Sequence, residues 1–82
     1  MKAKVIKRDE ITGRIMLDSK PVLITRTGVN PNTSWWSEAW GTAKVAAGLQ
    51  ADLVGLLGFN VANTNQLIFQ LKGTKDVIIV DL

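Results

Sequence analysis

The chain has 82 residues, 46% of them hydrophobic, and a formal net charge of +3 at pH 7. Its length predicts a single domain over residues 1–82, and its apolar content argues against a disordered chain. Because it has no cysteine and no histidine, disulfides and the common zinc, copper and iron sites are excluded. We therefore expect no cofactor and no metal.

The positive charge is concentrated near the N-terminus. The first 26 residues hold seven Lys and Arg against three Asp and Glu, whereas residues 27–82 hold three against four. A basic N-terminal third followed by a near-neutral remainder favours contact with a polyanion. A basic surface that contacts only solvent would give the same distribution of charge. No apolar run follows the basic start, and the weakly polar residues 39–59 include Lys44 and Asp52. The sequence thus predicts no secretory signal, no membrane span and a cytoplasmic protein.

The first predicted element is a hairpin. Residues 2–8 alternate as a strand, residues 9–13 have the composition of a turn, and residues 14–17 form the returning strand. Three cations, Lys7, Arg8 and Arg14, flank this turn. After a break at Pro21, residues 22–25 are predicted to be a short third strand.

A helix is predicted next, after a loop over residues 27–34. Its apolar face recurs at three- and four-residue steps, formed by Trp35, Trp36, Ala39, Trp40, Ala43, Ala46 and Ala47. Residues 34–57 are read as one long helix or two short ones, with Gly58 as the C-terminal stop. Gly41, Gly48 and Gly55 lie seven residues apart. Either they form one stripe along a helix that allows another backbone to pack closely, or they act independently, one as a helix cap and the others at tightly packed positions.

The last third is predicted to form a β-hairpin after a loop over residues 60–65. Residues 67–71 alternate, with Leu67, Phe69 and Leu71 on the inner face, and residues 72–75 have the composition of a turn. Residues 77–80 are apolar at every position, which predicts a strand that is covered on both faces. In so short a chain a second subunit is the simplest cover, so we expect a dimer.

Two segments resemble a known family. Residues 4–15, KVIKRDEITGRI, place a basic residue before an acidic turn and then Gly-Arg with a β-branched residue. Residues 53–59, LVGLLGF, lead through a polar loop to the closing hairpin at residues 67–69 and 77–80. In this order they resemble the AbrB/SpoVT/MazE-like transcription regulators, with an insert at about residues 19–49. The resemblance implies a swapped-hairpin dimer that contacts DNA through Lys7, Arg8 and Arg14.

The predicted fold class is α+β: a small swapped-hairpin-like β barrel or sheet with one long or two short helices packed on it, forming a dimer. The predicted function is a small dimeric DNA-binding transcriptional regulator. In that prediction Lys7, Arg8 and Arg14 neutralise phosphates of duplex DNA, and Arg8 or Arg14 reads guanine.

Two other functions compete with this one. The first is a non-catalytic protein-interaction module of the phage accessory or inhibitor type, using the helix that carries Trp35, Trp36 and Trp40. In it, two of the three tryptophans are assigned to the core. The second is stacking of single-stranded bases on the same rings beside Arg26. An enzyme is not expected, because its carboxylates have no histidine, cysteine or tyrosine to assist them.

Overall fold

The computed structural model describes residues 1–30, 34–48 and 54–82. Within these residues the chain is a small α+β domain with one helix and a mostly antiparallel sheet. In chain order the elements are β1 (Lys2–Lys7), β2 (Met16–Leu17), β3 (Lys20–Pro21), β4 (Ile24–Thr25), α1 (Ser34–Ala47), β5 (Val54–Asn60), β6 (Asn63–Leu71) and β7 (Asp76–Asp81).

The main sheet has five strands in the order β1-β7-β6-β5-β4, and every neighbouring pair is antiparallel. The predicted closing hairpin is confirmed, because β6 and β7 pair with Leu67 opposite Val80 and Phe69 opposite Ile78. The loop predicted over residues 60–65 is shorter than expected, since Asn60 pairs with Asn63 and only two residues turn the chain.

The pairing predicted for the N-terminal hairpin is wrong. β1 pairs with β7, from Lys2 opposite Asp81 to Lys7 opposite Asp76, instead of with residues 14–17. The turn itself forms, but Ile15 is only 3% exposed, because the chain after the turn crosses to one face of the sheet and buries this side chain. There β2 and β3 form a separate two-stranded ribbon.

The prediction that helical structure continues to Gly58 is also wrong, because residues 54–60 form the strand β5. α1 ends at Ala47, and Gly48 follows with φ +66°. The remainder of the predicted second helix, residues 49–53, lies outside the described residues. Since Gly55 is in a strand, the three glycines spaced seven apart do not form a helical stripe.

Each face of the sheet has its own apolar cover. On one face α1 packs with Ala39 and Ala43 fully buried, which confirms the predicted helix face. On the other face Ile15 packs with Ile68, Val77 and Ile79, and partly buried side chains of residues 17–24 add to it. Val22 and Ile24 of this second cover, and α1 on the first face, belong to the segment that was read as an insert, whereas Ile15 belongs to the segment that resembles the family's hairpin.

The strand β7 is buried on both faces, as the sequence predicts. Its four central residues, 77–80, are 0% exposed within the single chain. Val77 and Ile79 face the Ile15 side, whereas Ile78 and Val80 face α1. A second subunit is therefore not needed to cover this strand, and the sequence-based reason for a dimer is removed.

Candidate nucleic-acid interface

One end of the sheet brings together cations from three parts of the chain. β1 ends there, and the backbone N–H of Arg8 donates to the carbonyl of Lys75 at 2.9 Å. The N–H of Asp9 donates to the carbonyl of Arg14, also at 2.9 Å, which closes the loop of residues 9–13. We call this surface the basic end; its cations are Lys7, Arg8, Arg14, Lys72 and Lys75.

A recess of about 330 Å³ opens at the basic end. Its lining residues are Lys7, Arg8, Glu10, Thr74, Lys75 and Asp76. The carboxylates of Asp9, Glu10 and Asp76 offset part of the charge, so five cations face three anions and a positive excess remains. An excess of this kind attracts phosphate groups, although more weakly than a surface with cations alone.

The guanidinium of Arg8 is committed to the fold. Its Nε and Nη2 donate to Oε1 of Gln70 at 3.1 and 2.7 Å, and Nη1 donates to the carbonyl of Gly13 at 3.3 Å. The Nε2 of Gln70 in turn donates to the carbonyls of Leu71 and Asp76, each at 2.8 Å, and of Thr74 at 3.1 Å. Arg8 therefore holds the loop 9–13 and the turn 72–75 against each other.

The loop 9–13 is held by its own hydrogen bonds and presents one apolar side chain. The carboxylate of Asp9 accepts from the N–H of Ile11 at 2.8 Å, and the carbonyl of Asp9 accepts from Gly13 at 2.8 Å. Gly13 has φ +70°, a conformation that glycine adopts at low cost. At the tip of this loop Ile11 is 95% exposed, and the sequence analysis did not identify it as a functional residue.

The structure brings all three predicted DNA-contacting residues to the basic end. Lys7 and Arg14 are exposed, and their side chains make no hydrogen bond to any described residue. Arg8 is half-buried and is a positioning residue rather than a free cation. Sequence reasoning missed Lys72 and Lys75, although both belong to the turn that it predicted. Only the pairing of β1 with β7 brings that turn beside Arg8.

The three tryptophans form one aromatic cluster on α1. Trp35 lies 6.0 Å from Phe59 and Trp40 lies 5.5 Å from Phe69, measured between ring centroids. Trp36 contacts the other two rings, at 6.2 Å from Trp35 and 5.7 Å from Trp40. Two of the three rings thus contact core phenylalanines, whereas Trp36 contacts only tryptophans among the described aromatic rings.

A second recess, of about 380 Å³, is lined by Trp36, Ser37 and Trp40. The cation that accompanies this cluster is Lys44, whose Nζ lies 5.6 Å from the centroid of Trp40. Arg26, the cation named in the base-stacking alternative, donates to the carbonyl of Leu56 at 3.4 Å.

The comparisons with family models, curated proteins and solved structures gave no match. The resemblance to the AbrB/SpoVT/MazE-like regulators therefore stays a prediction. Over the residues that the structure describes, no group of three potential metal-ligating side chains occurs. None of the described helical residues forms a segment with the length and apolar character needed to cross a membrane.

Proposed function

We propose that this protein is a small DNA-binding regulator that contacts duplex DNA through the basic end. The observation that carries the proposal is the convergence of five cations from residues 7–8, 14 and 72–75 at one end of the sheet. Four of them, Lys7, Arg14, Lys72 and Lys75, make no side-chain hydrogen bond to described residues. They are therefore available to phosphates.

The physical basis of binding is neutralisation of phosphates with release of counterions, which gives affinity without sequence information. Arg14 is the candidate for a base contact in addition to its phosphate contact, because a free guanidinium has five donors and can give two parallel hydrogen bonds to guanine. Arg8 does not take this role, since Gln70 and Gly13 already accept from its guanidinium. Its role in binding is to hold the shape of the surface.

The test of this proposal is duplex binding measured over a range of salt concentrations. With four phosphate contacts, the logarithm of the binding constant falls with the logarithm of salt concentration with a slope of about −3.6. Fluorescence anisotropy of a labelled duplex measures this slope. Absence of binding at low salt, or binding that does not respond to salt, would exclude the proposal.

Replacing Ile11 with serine is expected to remove an apolar contact with DNA while leaving the salt slope unchanged. An isoleucine that is 95% exposed at the tip of loop 9–13, next to the cations of the basic end, suits insertion between base steps, as other apolar wedges do. A duplex with 2-aminopurine is expected to brighten on binding the unmodified protein, because the base unstacks. With Ile11→Ser the brightening is lost and affinity falls about tenfold. Equal brightening with both proteins would contradict this role.

Dimerisation remains part of the proposal. A dimer would present two basic ends to neighbouring turns of DNA and so raise affinity through two-site binding. The sequence-based argument for a dimer was that β7 is apolar on both faces, but both faces of this strand are covered within one chain. The proposal of DNA contact does not depend on it.

A protein-interaction module is the second candidate, and the recess beside Trp36 favours it. Among the described aromatic rings Trp36 contacts only the other two tryptophans, and it is half-buried at the edge of the core. Tryptophan is enriched among the residues that dominate interface energies. If this recess is the interface, Trp36→Ala abolishes partner binding and changes stability by less than about 1 kcal/mol. Trp40→Ala, which also removes the contact with Phe69, costs about 3 kcal/mol in unfolding experiments. Equal costs for the two variants would identify Trp36 as core.

A further inference from the structure

The outer edge of β1 has no partner strand among the described residues. β1 is the first strand of the sheet and pairs only with β7. The bond from Arg8 N–H to the Lys75 carbonyl fixes the alternation, so the even-numbered residues of β1 exchange hydrogen bonds with β7. The backbone N–H and C=O groups of Ala3, Val5 and Lys7 therefore point away from the sheet.

An apolar groove of about 660 Å³ lies beside this edge, on the face that α1 covers. It is lined by Ala3, Glu38, Gly41, Thr42, Val45 and Ala46. Two apolar side chains here lack cover: Val45 in the lining is 83% exposed, and Val5 on the same face of β1 as Ala3 is 46% exposed. A strand added to β1 would place every second side chain in or beside this groove.

The opposite face of β1 carries charge. Lys2 and Lys4 alternate with the groove-side residues and are both exposed. Every other side chain of an added strand would lie beside these two ammonium groups. Opposite charges in such cross-strand positions are favourable and like charges are unfavourable. The edge therefore suits a strand with carboxylates on one face and apolar side chains on the other.

A second copy of this chain does not suit the same edge. Antiparallel pairing of β1 with β1 around a two-fold axis keeps each face of the sheet continuous. It would bring Lys2 and Lys4 of both copies together on one face, where like charges repel. Lysines on an edge strand are a common means by which proteins prevent such self-pairing.

We propose that the β1 edge and its groove bind an extended segment of a partner protein in which apolar and acidic residues alternate. The segment forms an additional strand of the sheet, hydrogen-bonded to Ala3, Val5 and Lys7. Its apolar side chains occupy the groove, and its carboxylates lie beside Lys2 and Lys4. This surface is separate from the Arg14 and turn 72–75 side of the basic end, and the inference does not rest on DNA binding.

The first test uses a capped peptide of alternating valine and glutamate, with a valine–lysine peptide as control. Amide signals of the protein are followed by NMR during each titration. Binding of the acidic peptide is expected to move the signals of Ala3, Val5 and Lys7 most, because their N–H groups gain acceptors. Lys4 and Ile6, already bonded to β7, should move less. Equal binding of the two peptides, or none up to about 1 mM, would overturn the proposal.

Two variants of the protein separate the edge from the groove. Val5→Pro removes an outward N–H and leaves the ladder to β7 intact, a position where edge strands tolerate proline. Gly41→Leu fills the groove, since a Cβ at Gly41 meets nothing within 4 Å. Each substitution is expected to lower the affinity for the acidic peptide by a factor of at least about ten. Lys44→Leu adds the same side chain to α1 outside the groove and should leave affinity unchanged.

Circular dichroism and urea unfolding check that the variants fold. If Val5→Pro does not fold, the peptide affinity of Gly41→Leu tests the proposal by itself. This variant is expected to fold, because it places a good helix former in open space. Unchanged affinity in Gly41→Leu would overturn the proposal. So would sedimentation of the unmodified chain as a dimer that Gly41→Leu or Val5→Pro dissociates, because the occupant would then be a second copy.

Discussion

Replacing Gly58 with alanine is expected to lower the free energy of unfolding by about 3 kcal/mol. Gly58 has φ +145°, in a region that other residues rarely adopt. A Cβ there would overlap the carbonyl oxygen of Thr25 and lie 2.8 Å from its carbonyl carbon and 3.0 Å from Cγ2 of Ile24. Strand β4 would have to move away from β5. The midpoint of urea unfolding, followed by tryptophan fluorescence, measures the loss.

Gly73→Ala is the matched control. Gly73 also has a positive φ, +79°, but a Cβ there meets nothing within 4 Å. Its substitution therefore carries backbone strain alone, about 1 kcal/mol. A loss for Gly58→Ala no larger than that for Gly73→Ala would contradict the close approach of β4 to β5.

Removing the side-chain amide of Gln70 is the second large effect. Gln70→Met keeps the length of the side chain but leaves Arg8 without its carboxamide acceptor. It also removes the Gln70 donor from the carbonyls of Leu71, Thr74 and Asp76, of which that of Leu71 still accepts from Thr74. We expect a loss of about 3 kcal/mol, since hydrogen bonds to a charged group contribute about 1.5–3 kcal/mol and partly buried groups lose their partners. Urea unfolding again measures the change.

A double-mutant cycle isolates the Arg8–Gln70 contact. Arg8→Met, Gln70→Met and the double variant are compared, and a coupling energy of about 1.5–3 kcal/mol is expected. Gln70→Glu divides the network further, because it keeps an acceptor for Arg8 but sets a carboxylate against the carbonyls of Leu71, Thr74 and Asp76. A coupling energy below about 0.5 kcal/mol would mean that Arg8 is free to bind a ligand.

The elements that the sequence predicted correctly are those whose signal is local. Alternation at Leu67, Phe69 and Leu71 with a four-residue turn predicted the β6–β7 hairpin. The three- and four-residue spacing of apolar side chains predicted α1, and Ala39 and Ala43 are its fully buried positions. In both cases neighbouring residues determine the structure, so the pattern is visible in the chain.

β5 was misread because its apolar spacing also fits a helix. The side chains of the adjacent residues Leu56 and Leu57 lie on opposite faces of the sheet, Leu56 on the face covered by α1 and Leu57 on the face covered by Ile15. The register shifts between Leu56 and Gly58, so a β-bulge breaks the two-residue alternation that identifies a strand. Gly58 was read as a helix stop, whereas its role is a close contact with Thr25, which lies 33 positions earlier in the sequence.

The candidate site was only partly predictable for the same reason. Lys7, Arg8 and Arg14 flank one turn, so their proximity follows from local sequence. Lys72 and Lys75 join them only through the pairing of the first and last strands, which no local pattern encodes. That pairing also places Arg8 against Gln70, which accepts two hydrogen bonds from its guanidinium.

The most direct test of DNA contact at the basic end is the salt slope of a charge-matched pair of variants. Arg14→Ala with Lys75→Ala removes two of the four free cations there. The control, Lys2→Ala with Lys44→Ala, removes equal charge at the opposite end of β1 and on α1. Lys44 lies against the ring of Trp40, and the other three side chains make no hydrogen bond, ion pair or ring contact with a described residue, so stability should change little.

Duplex binding by the Arg14→Ala, Lys75→Ala variant is predicted to show a slope of about −1.8, against about −3.6 for the unmodified protein. The control variant is predicted to keep a slope near that of the unmodified protein. Equal slopes for the two variants would show that binding follows net charge rather than the basic end, and would contradict the proposed interface.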